Sequence, residues 1–107
     1  MNRERFDTEP RYVISVAARM LDTQTYTLRY YEKIGIIEPR RSRGNLRLYS
    51  DRDIAMLQRV KTLVDDMGVN LPGVEVILRM MARVEEMQRE LERAQKEIQK
   101  LRQGDQS

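Results

Sequence analysis

Residues 14–35 read ISVAARMLDTQTYTLRYYEKIG, in which two short amphipathic segments flank a polar break. The first segment opens near Ser15, a residue type that can cap a helix, and the break is Asp22-Thr23-Gln24. The second segment runs from Thr25 to Ile34 and meets Gly35 in the position where glycine commonly ends a helix. Two short helices joined by three residues predict a helix-turn-helix. An ordinary helical hairpin shares this pattern and stays open as an alternative.

A basic segment follows these two helices. Short β-like runs at Ile36–Glu38 and Leu46–Tyr49 flank a turn at Gly44-Asn45, two residues able to adopt positive φ. Residues 39–52 hold five arginines and one acid. Such an excess of positive charge is hard to place in a core and suits DNA phosphates. The segment therefore predicts a basic β-hairpin, or wing, that binds nucleic acid, although a solvated loop would have the same composition.

Two further helices are predicted after the wing. Ser50 can cap the third helix, whose first turn holds acids where the helix dipole favours them, and Gly68 ends it. Asn70 can cap the fourth helix, which is expected to run from Leu71 to Arg102.

The fourth helix carries an apolar stripe, here called the seam, whose members alternate at intervals of three and four residues. The seam consists of Ile77, Met80, Val84, Met87, Leu91, Ala94, Ile98 and Leu101. This a/d heptad spacing is typical of a coiled coil. The domain is too small to cover about 45 Å of helix, so the seam is expected to join two copies in a homodimer. Charges beside it, such as Arg83 and Glu97, fit both antiparallel and parallel pairs.

Composition excludes several classes of function. The 107 residues suffice for one small domain with an appendage, and they include no cysteine and no histidine. Disulfides, thiolate metal sites and histidine bases are therefore excluded. The adjacent acids Asp65-Asp66 and Glu85-Glu86 point about 100° apart on a helix, so they do not form a catalytic pair. Since no apolar run could span a membrane, we expect a cytoplasmic protein. Since cysteine and histidine are absent, we expect a protein that binds rather than catalyses, with no metal or cofactor.

Three sequence blocks occur in a recognisable order. They are Ile14–Ala18, then Thr27–Ile36 with the letters TLRYYEKIGI, then Arg47–Ser50 with the letters RLYS. These blocks, followed by a helical connector and a long helix, strongly resemble the MerR family of bacterial transcription regulators. The resemblance covers about residues 12–102.

The resemblance implies a mainly α fold, in which a winged helix-turn-helix precedes a long dimerisation helix that forms an antiparallel coiled coil. The implied organisation is a flexible N-terminus (1–11), a DNA-binding domain (12–70), the dimerisation helix (71–102) and a flexible tail (103–107).

The resemblance also implies which residues contact DNA. The second helix would enter the major groove, with Arg29 on a guanine or a phosphate and Tyr30 on a phosphate. Tyr49 would either bond a phosphate or support the hairpin. One wing arginine could enter a minor groove while the others hold phosphates. The full set is Ser15, Gln24, Thr25, Tyr26, Arg29, Tyr30, Arg40, Arg41, Arg43, Arg47, Tyr49 and Lys61.

Within the family, residues 12–18 and 68–73 are most similar to the HspR type of heat-shock repressor. This similarity implies a homodimer that represses heat-shock and chaperone genes at an inverted-repeat operator, with the chaperone DnaK as a candidate co-repressor. Residues 41–48 also resemble the GlnR type of nitrogen regulator, which is the alternative. A coiled-coil interaction protein without specific DNA reading is a second alternative. Because only residues 103–107 follow the long helix, no small-molecule effector is expected.

Overall fold

A computed structural model describes residues 7–105 and is mainly helical, as predicted. The elements are β1 (Tyr12–Val13), α1 (Ile14–Met20), α2 (Thr25–Lys33), β2 (Arg40–Arg41), β3 (Arg47–Tyr49), α3 (Asp51–Lys61), a π-helical turn (Thr62–Asp66) and α4 (Leu71–Asp105). They form two units, divided between Val69 and Asn70. Within residues 7–105, no helix is both long and apolar enough to cross a membrane.

The helix-turn-helix is formed by α1 and α2. Helix α1 begins earlier than predicted: Val13 is its N-cap residue, and no side chain caps it. Ser15 lies in its first turn, so the prediction that Ser15 is the cap was wrong. The break between the helices turns at Asp22, whose φ is 52°. Helix α2 ends as predicted, with Gly35 at a φ of 86°.

The wing is a hairpin of β2 and β3, in which Arg41 lies opposite Arg47. Its first strand was predicted at residues 36–38, and that prediction was wrong. Ile37 is buried in the core, so the apolar character of this run serves packing rather than strand pairing. In the turn between the strands, the Ser42 N–H donates to the Leu46 carbonyl at 2.9 Å, and Asn45 has a φ of 64°.

The sheet has a third strand that the sequence did not predict. Strand β1 pairs antiparallel with β3, so that Tyr12 lies opposite Tyr49. The Tyr12 hydroxyl donates a 2.6 Å hydrogen bond to Asp51 Oδ1. This bond, together with burial and the Asp51 charge, raises the pKa of the Tyr12 phenol. The β1–β3 pairing joins the hairpin to the segment that leads into α1, and the Tyr12–Asp51 bond joins that segment to the start of α3.

The core of the first unit lies between the helices and the sheet. Its buried members are Ala17, Ala18, Leu21, Leu28, Ile37, Tyr49 and Leu57. They come from α1, α2, the residues that follow each of these helices, the wing and α3, so the three helices and the hairpin share one apolar centre. Apolar burial of this kind is what holds short helices and two-residue strands in place.

Helix α3 opens with the predicted cap. The Ser50 hydroxyl accepts from the Asp53 N–H at 3.0 Å, and the Asp53 carboxylate accepts from the Ser50 N–H at 2.9 Å. A regular helix was predicted to continue to Gly68, but the α-helix ends at Lys61. A π-helical turn follows, closed by the bond from the Met67 N–H to the Thr62 carbonyl at 3.1 Å.

Helix α4 makes up most of the second unit. Asn70 caps it as predicted, because its side-chain oxygen accepts from the Gly73 N–H at 2.9 Å. The helix continues to Asp105, so residues 103–105 are helical rather than a tail. The flexibility predicted for residues 1–6 and 106–107 lies outside the described residues.

The seam of α4 is largely exposed in the single chain. Met80 is 64% exposed, Leu91 58% and Leu101 63%. A row of apolar side chains in contact with water is energetically unfavourable.

Candidate nucleic-acid interface

Several predicted DNA-contacting residues share the outer face of α2. Tyr26, Arg29 and Tyr30 follow the helical spacing of three and four residues, and all three are exposed, with Tyr26 exposed by 70%. On the opposite side, Leu28 is only 1% exposed and belongs to the core. The burial of Leu28 therefore fixes which face of α2 points outward.

The N-terminal end of α2 adds further polar groups to this surface. Gln24 is the N-cap residue and is exposed, while Thr25 is half-buried. Neither makes a side-chain capping bond, since α2 has none at its N-terminus. Ser15 is exposed in the first turn of α1. Side chains at the start of a recognition helix are the ones that reach base edges in helix-turn-helix proteins.

Tyr31 faces inward. It packs against the core, and its ring centroid lies 6.4 Å from that of Tyr30. Burial, with a smaller contribution from the Asp65 charge, raises the pKa of the Tyr31 phenol. The two neighbouring tyrosines thus have different roles: Tyr31 supports α2, and Tyr30 is half-exposed beside Arg29.

Lys61 holds the turn of the helix-turn-helix. Its Nζ donates to the Leu21 carbonyl at 2.7 Å and to the Asp22 carbonyl at 3.0 Å, although these residues lie about forty positions apart in the chain. The ammonium group thereby satisfies carbonyls at the end of α1, where a positive charge also suits the helix dipole. Two of its three N–H donors are used inside the protein, so the geometry supports a structural role ahead of the predicted phosphate contact.

The wing arginines fall into two groups. Arg40 and Arg43 are exposed, and Arg43 lies in the turn between the strands. Arg41 and Arg47 instead both reach Glu32 on α2. Arg47 Nε donates to Glu32 Oε1 at 2.8 Å, and Arg41 Nη2 lies 3.2 Å from Oε2 and 3.3 Å from Oε1.

Glu32 is the residue that sequence reasoning missed. It is the only acid between Asp22 and Glu38, and that isolation in a basic neighbourhood was the available signal. Its side chain is 20% exposed, and it links α2 to both strands of the wing.

Tyr49 supports the hairpin rather than facing outward. It is 0% exposed, and its hydroxyl has no hydrogen-bond partner within the described residues. Burial is the main cause that raises the pKa of the Tyr49 phenol, and the Glu32 charge adds to it. Of the two roles considered for Tyr49, burial favours support of the hairpin, because a fully buried hydroxyl does not reach a phosphate.

The described residues contain no group of carboxylates arranged to hold a metal ion. The arrangement as a whole offers hydrogen-bond donors, phenols and guanidinium groups on α2 and the wing. These groups recognise anions and base edges by contact.

Comparison with known proteins identifies relatives of the chain. Residues 12–81 match the MerR HTH family of regulatory proteins. The chain is 41% identical over 85 residues to the heat shock protein HspR of Streptomyces coelicolor, covering 79% of this chain and 56% of that protein. It is 32% identical over 71 residues to the HTH-type transcriptional regulator GlnR of Bacillus anthracis, covering 66% of this chain and 54% of that protein. The chain thus spans about half the length of these curated relatives.

Two solved structures share the fold. One is HiNmlR, a MerR family regulator lacking the sensor domain and bound to promoter DNA; it aligns with a TM-score of 0.61 at 21% identity, covering 86% of this chain and 76% of that one. The other is a MerR family transcriptional regulator from Bacillus cereus, with a TM-score of 0.60 at 29% identity, covering 80% and 69%.

Proposed function

This chain belongs to the MerR HTH family of regulatory proteins, and from that premise we propose that it binds operator DNA in a sequence-specific manner as a homodimer. The observation that carries the proposal is the outer face of α2, where Tyr26, Arg29 and Tyr30 are exposed on a helix held from behind by the core. Residues 12–70 would bind DNA, and residues 71–102 would join the two copies.

In this proposal α2 lies in the major groove. Gln24, Thr25 and Tyr26 approach base edges from the N-terminal end of the helix. Arg29 forks onto a guanine or clamps a phosphate one turn further on. The exposed Arg40 and Arg43 of the wing hold the neighbouring backbone through charge, without reading its sequence.

The dimer would form through the seam in an antiparallel coiled coil. In one register every seam residue meets another: Ile77 faces Leu101 of the partner, Met80 faces Ile98, Val84 faces Ala94, and Met87 faces Leu91. The same register brings Arg83 opposite Glu97 of the partner subunit. Glu90 approaches its own copy, and Arg83 of the same chain, 4.0 Å from Glu90, offsets that repulsion.

The similarity to HspR supports a more specific role. We propose that the protein represses heat-shock and chaperone genes in the cytoplasm, by occupying an inverted repeat that overlaps the promoter. DnaK is the candidate co-repressor, on the strength of the similarity to HspR. The alternative is nitrogen-type regulation. The 32% identity to GlnR supports this alternative.

The direct test is selection of bound duplexes from a random-sequence library, followed by sequencing and footprinting. A homodimer with two winged units predicts an inverted repeat with both halves protected. Recovery of one asymmetric half-site, protected by a single chain, would contradict the proposal. The affinity of this protein for random duplexes at low salt is compared with that of a control protein without net charge. If the two affinities are equal, the chain is a coiled-coil interaction protein instead.

A second selection, from fragments of the genome that encodes this protein, would decide between the two regulatory roles. Promoters of chaperone genes would support the HspR-type role, and promoters of nitrogen-assimilation genes would support the GlnR-type role. Addition of purified DnaK should lower the protein concentration needed for half-saturation if it is a co-repressor. No shift on addition of DnaK would exclude it as a co-repressor.

A further inference from the structure

We propose that Glu32 is a specificity-determining positioning residue, which holds Arg41 and Arg47 so that the wing engages DNA phosphates only in a fixed geometry. The inference rests on the proposed DNA-binding function and deepens it. It assigns a role in DNA discrimination to a carboxylate that itself repels the DNA backbone.

The first observation is that one carboxylate serves two guanidinium groups. Arg47 Nε lies 2.8 Å from Glu32 Oε1, and Arg41 Nη2 lies 3.2 Å from Oε2. Arg41 is held at a second point, because its Nη1 donates to the Asn45 carbonyl at 3.3 Å. The two arginines are on different strands and face each other across the hairpin register. Glu32 therefore ties both strands of the wing to the proposed recognition helix.

The second observation concerns charge. Glu32 places a negative charge on α2, three residues after Arg29, and that charge is in contact with two arginines of the wing. Its side chain is 20% exposed, and those of Arg47 and Arg41 are 26% and 38% exposed. Partial burial reduces solvent screening of these pairs, so the carboxylate offsets much of the positive potential that the two arginines would present.

The third observation is that pairing leaves donors available. A guanidinium has five N–H groups, and Glu32 takes only Nε of Arg47 and Nη2 of Arg41. Contacts with Glu32, and for Arg41 also with the Asn45 carbonyl, hold both guanidinium groups and so orient their remaining donors. A phosphate at the matching position meets two oriented donors without an ordering cost, whereas a phosphate elsewhere must first break the pairs with Glu32.

This arrangement favours the selected duplex over random DNA. On random sequences the wing meets phosphates in many positions, and compensation by Glu32 weakens all of them. On the operator, base contacts from α2 fix the position of the protein along the DNA. The DNA phosphate nearest to the wing then lies where the oriented donors of Arg41 and Arg47 can contact it. Loss of Glu32 should thus strengthen random binding more than operator binding.

The test compares E32Q with the matched control E38Q, which removes one negative charge from an exposed residue of the same unit. Affinities are measured between about 50 and 200 mM salt on the selected duplex and on random-sequence duplex of equal length. E32Q should bind random duplex more tightly than E38Q and with a steeper salt dependence, by about 0.9 in log–log slope for each additional phosphate that the wing binds. One additional phosphate corresponds to an extra affinity loss of about 3.5-fold over this salt range. The ratio of selected to random affinity should fall for E32Q alone.

A double-mutant cycle shows whether Glu32 acts through its arginines. In an R41Q background, E32Q should change the random-duplex slope by less than it does in the wild type, since one of the two guanidiniums is absent. Thermal unfolding of each variant, run alongside, identifies any loss of folded protein.

The outcomes separate the two levels of the inference. If the wild type does not prefer its selected duplex over random DNA, the proposed function fails. If the wild type does prefer it but E32Q and E38Q have the same slope and the same affinity ratio, Glu32 only stabilises the fold and the present inference is overturned. An undiminished effect of E32Q in the R41Q background would also overturn it.

Discussion

Replacement of Tyr49 by phenylalanine should stabilise the protein. The Tyr49 side chain is 0% exposed and its hydroxyl has no partner within the described residues. Burial of a hydroxyl without a hydrogen bond costs about 1–3 kcal/mol. The phenylalanine ring fills the same space, so Y49F should raise the free energy of unfolding by about 1 kcal/mol. For a domain of this size, that increase corresponds to a rise in Tm of about 4–8 °C.

The pH dependence gives an independent measure of the same hydroxyl. Because the fold raises the pKa of Tyr49 above its ordinary value of 10.0, the folded state favours the neutral phenol. The associated stability is fully present below pH 10.0 and is lost as the pH rises from there through the higher pKa of the folded state. Y49F lacks this loss. The stability difference between variant and wild type should therefore be constant at neutral pH and grow above pH 10.0.

The assay is denaturant and thermal unfolding at one fixed protein concentration, since dimerisation would shift the transition with concentration. Y26F is the matched control: it removes the same atom from a phenol that is 70% exposed, and its stability should stay within about 0.5 kcal/mol of the wild type. A Y49F protein less stable than the wild type would refute the reasoning. Weaker binding to the selected duplex at unchanged stability would show that the hydroxyl contacts a phosphate after all.

Five further substitutions probe the remaining elements. L91D places a charge in the middle of the seam and should abolish the dimer in light scattering, so a dimer of normal affinity would show that α4 is not the interface. R29A should lower the ratio of the affinity for the selected duplex to that for random duplex. R43A should weaken binding to both duplexes and make the salt slope shallower by about 0.9. If R43A loses discrimination and R29A loses only general affinity, the wing reads the sequence. S50A removes the α3 cap and should cost about 1 kcal/mol in denaturant unfolding, and no loss would show that the capping box contributes little. K61M should lower stability by about 1–3 kcal/mol with an unchanged salt slope, whereas a shallower slope at full stability would restore its predicted role at a phosphate.

Local sequence signals predicted the helices well where one residue acts on its chain neighbours. The Ser50 cap, the Asn70 cap and the end of α2 at Gly35 all have the predicted geometry. Each depends on hydrogen bonds or dihedral angles within a few residues, so the sequence contains the whole interaction. Ser15 is an exception, because α1 follows directly from β1 and begins before the serine is reached. The end of α3 is another, because a π-helical turn replaces the regular helix after Lys61.

The strands were predicted less well, because they are too short to show a period. Strand β1 has two residues, and its existence depends on pairing with β3 from the far side of two helices. The apolar run around Ile37 has the composition of a strand, but the Ile37 side chain packs in the core. Burial of that kind is decided by which elements pack together, and alternation over three residues does not reveal it.

The sequence by itself determined that this protein has two short helices, a basic segment and a long helix with an uncovered seam, since periodicity, caps and charge are properties of neighbouring residues. Tertiary structure alone decided which partners the basic groups described above contact within the protein. Glu32 meets Arg47 across fifteen positions, and Lys61 reaches the Leu21 carbonyl across forty. Such contacts arise only when packing of the core brings distant segments within about 3 Å, and they give Arg41, Arg47 and Lys61 partners inside the protein that the sequence does not reveal.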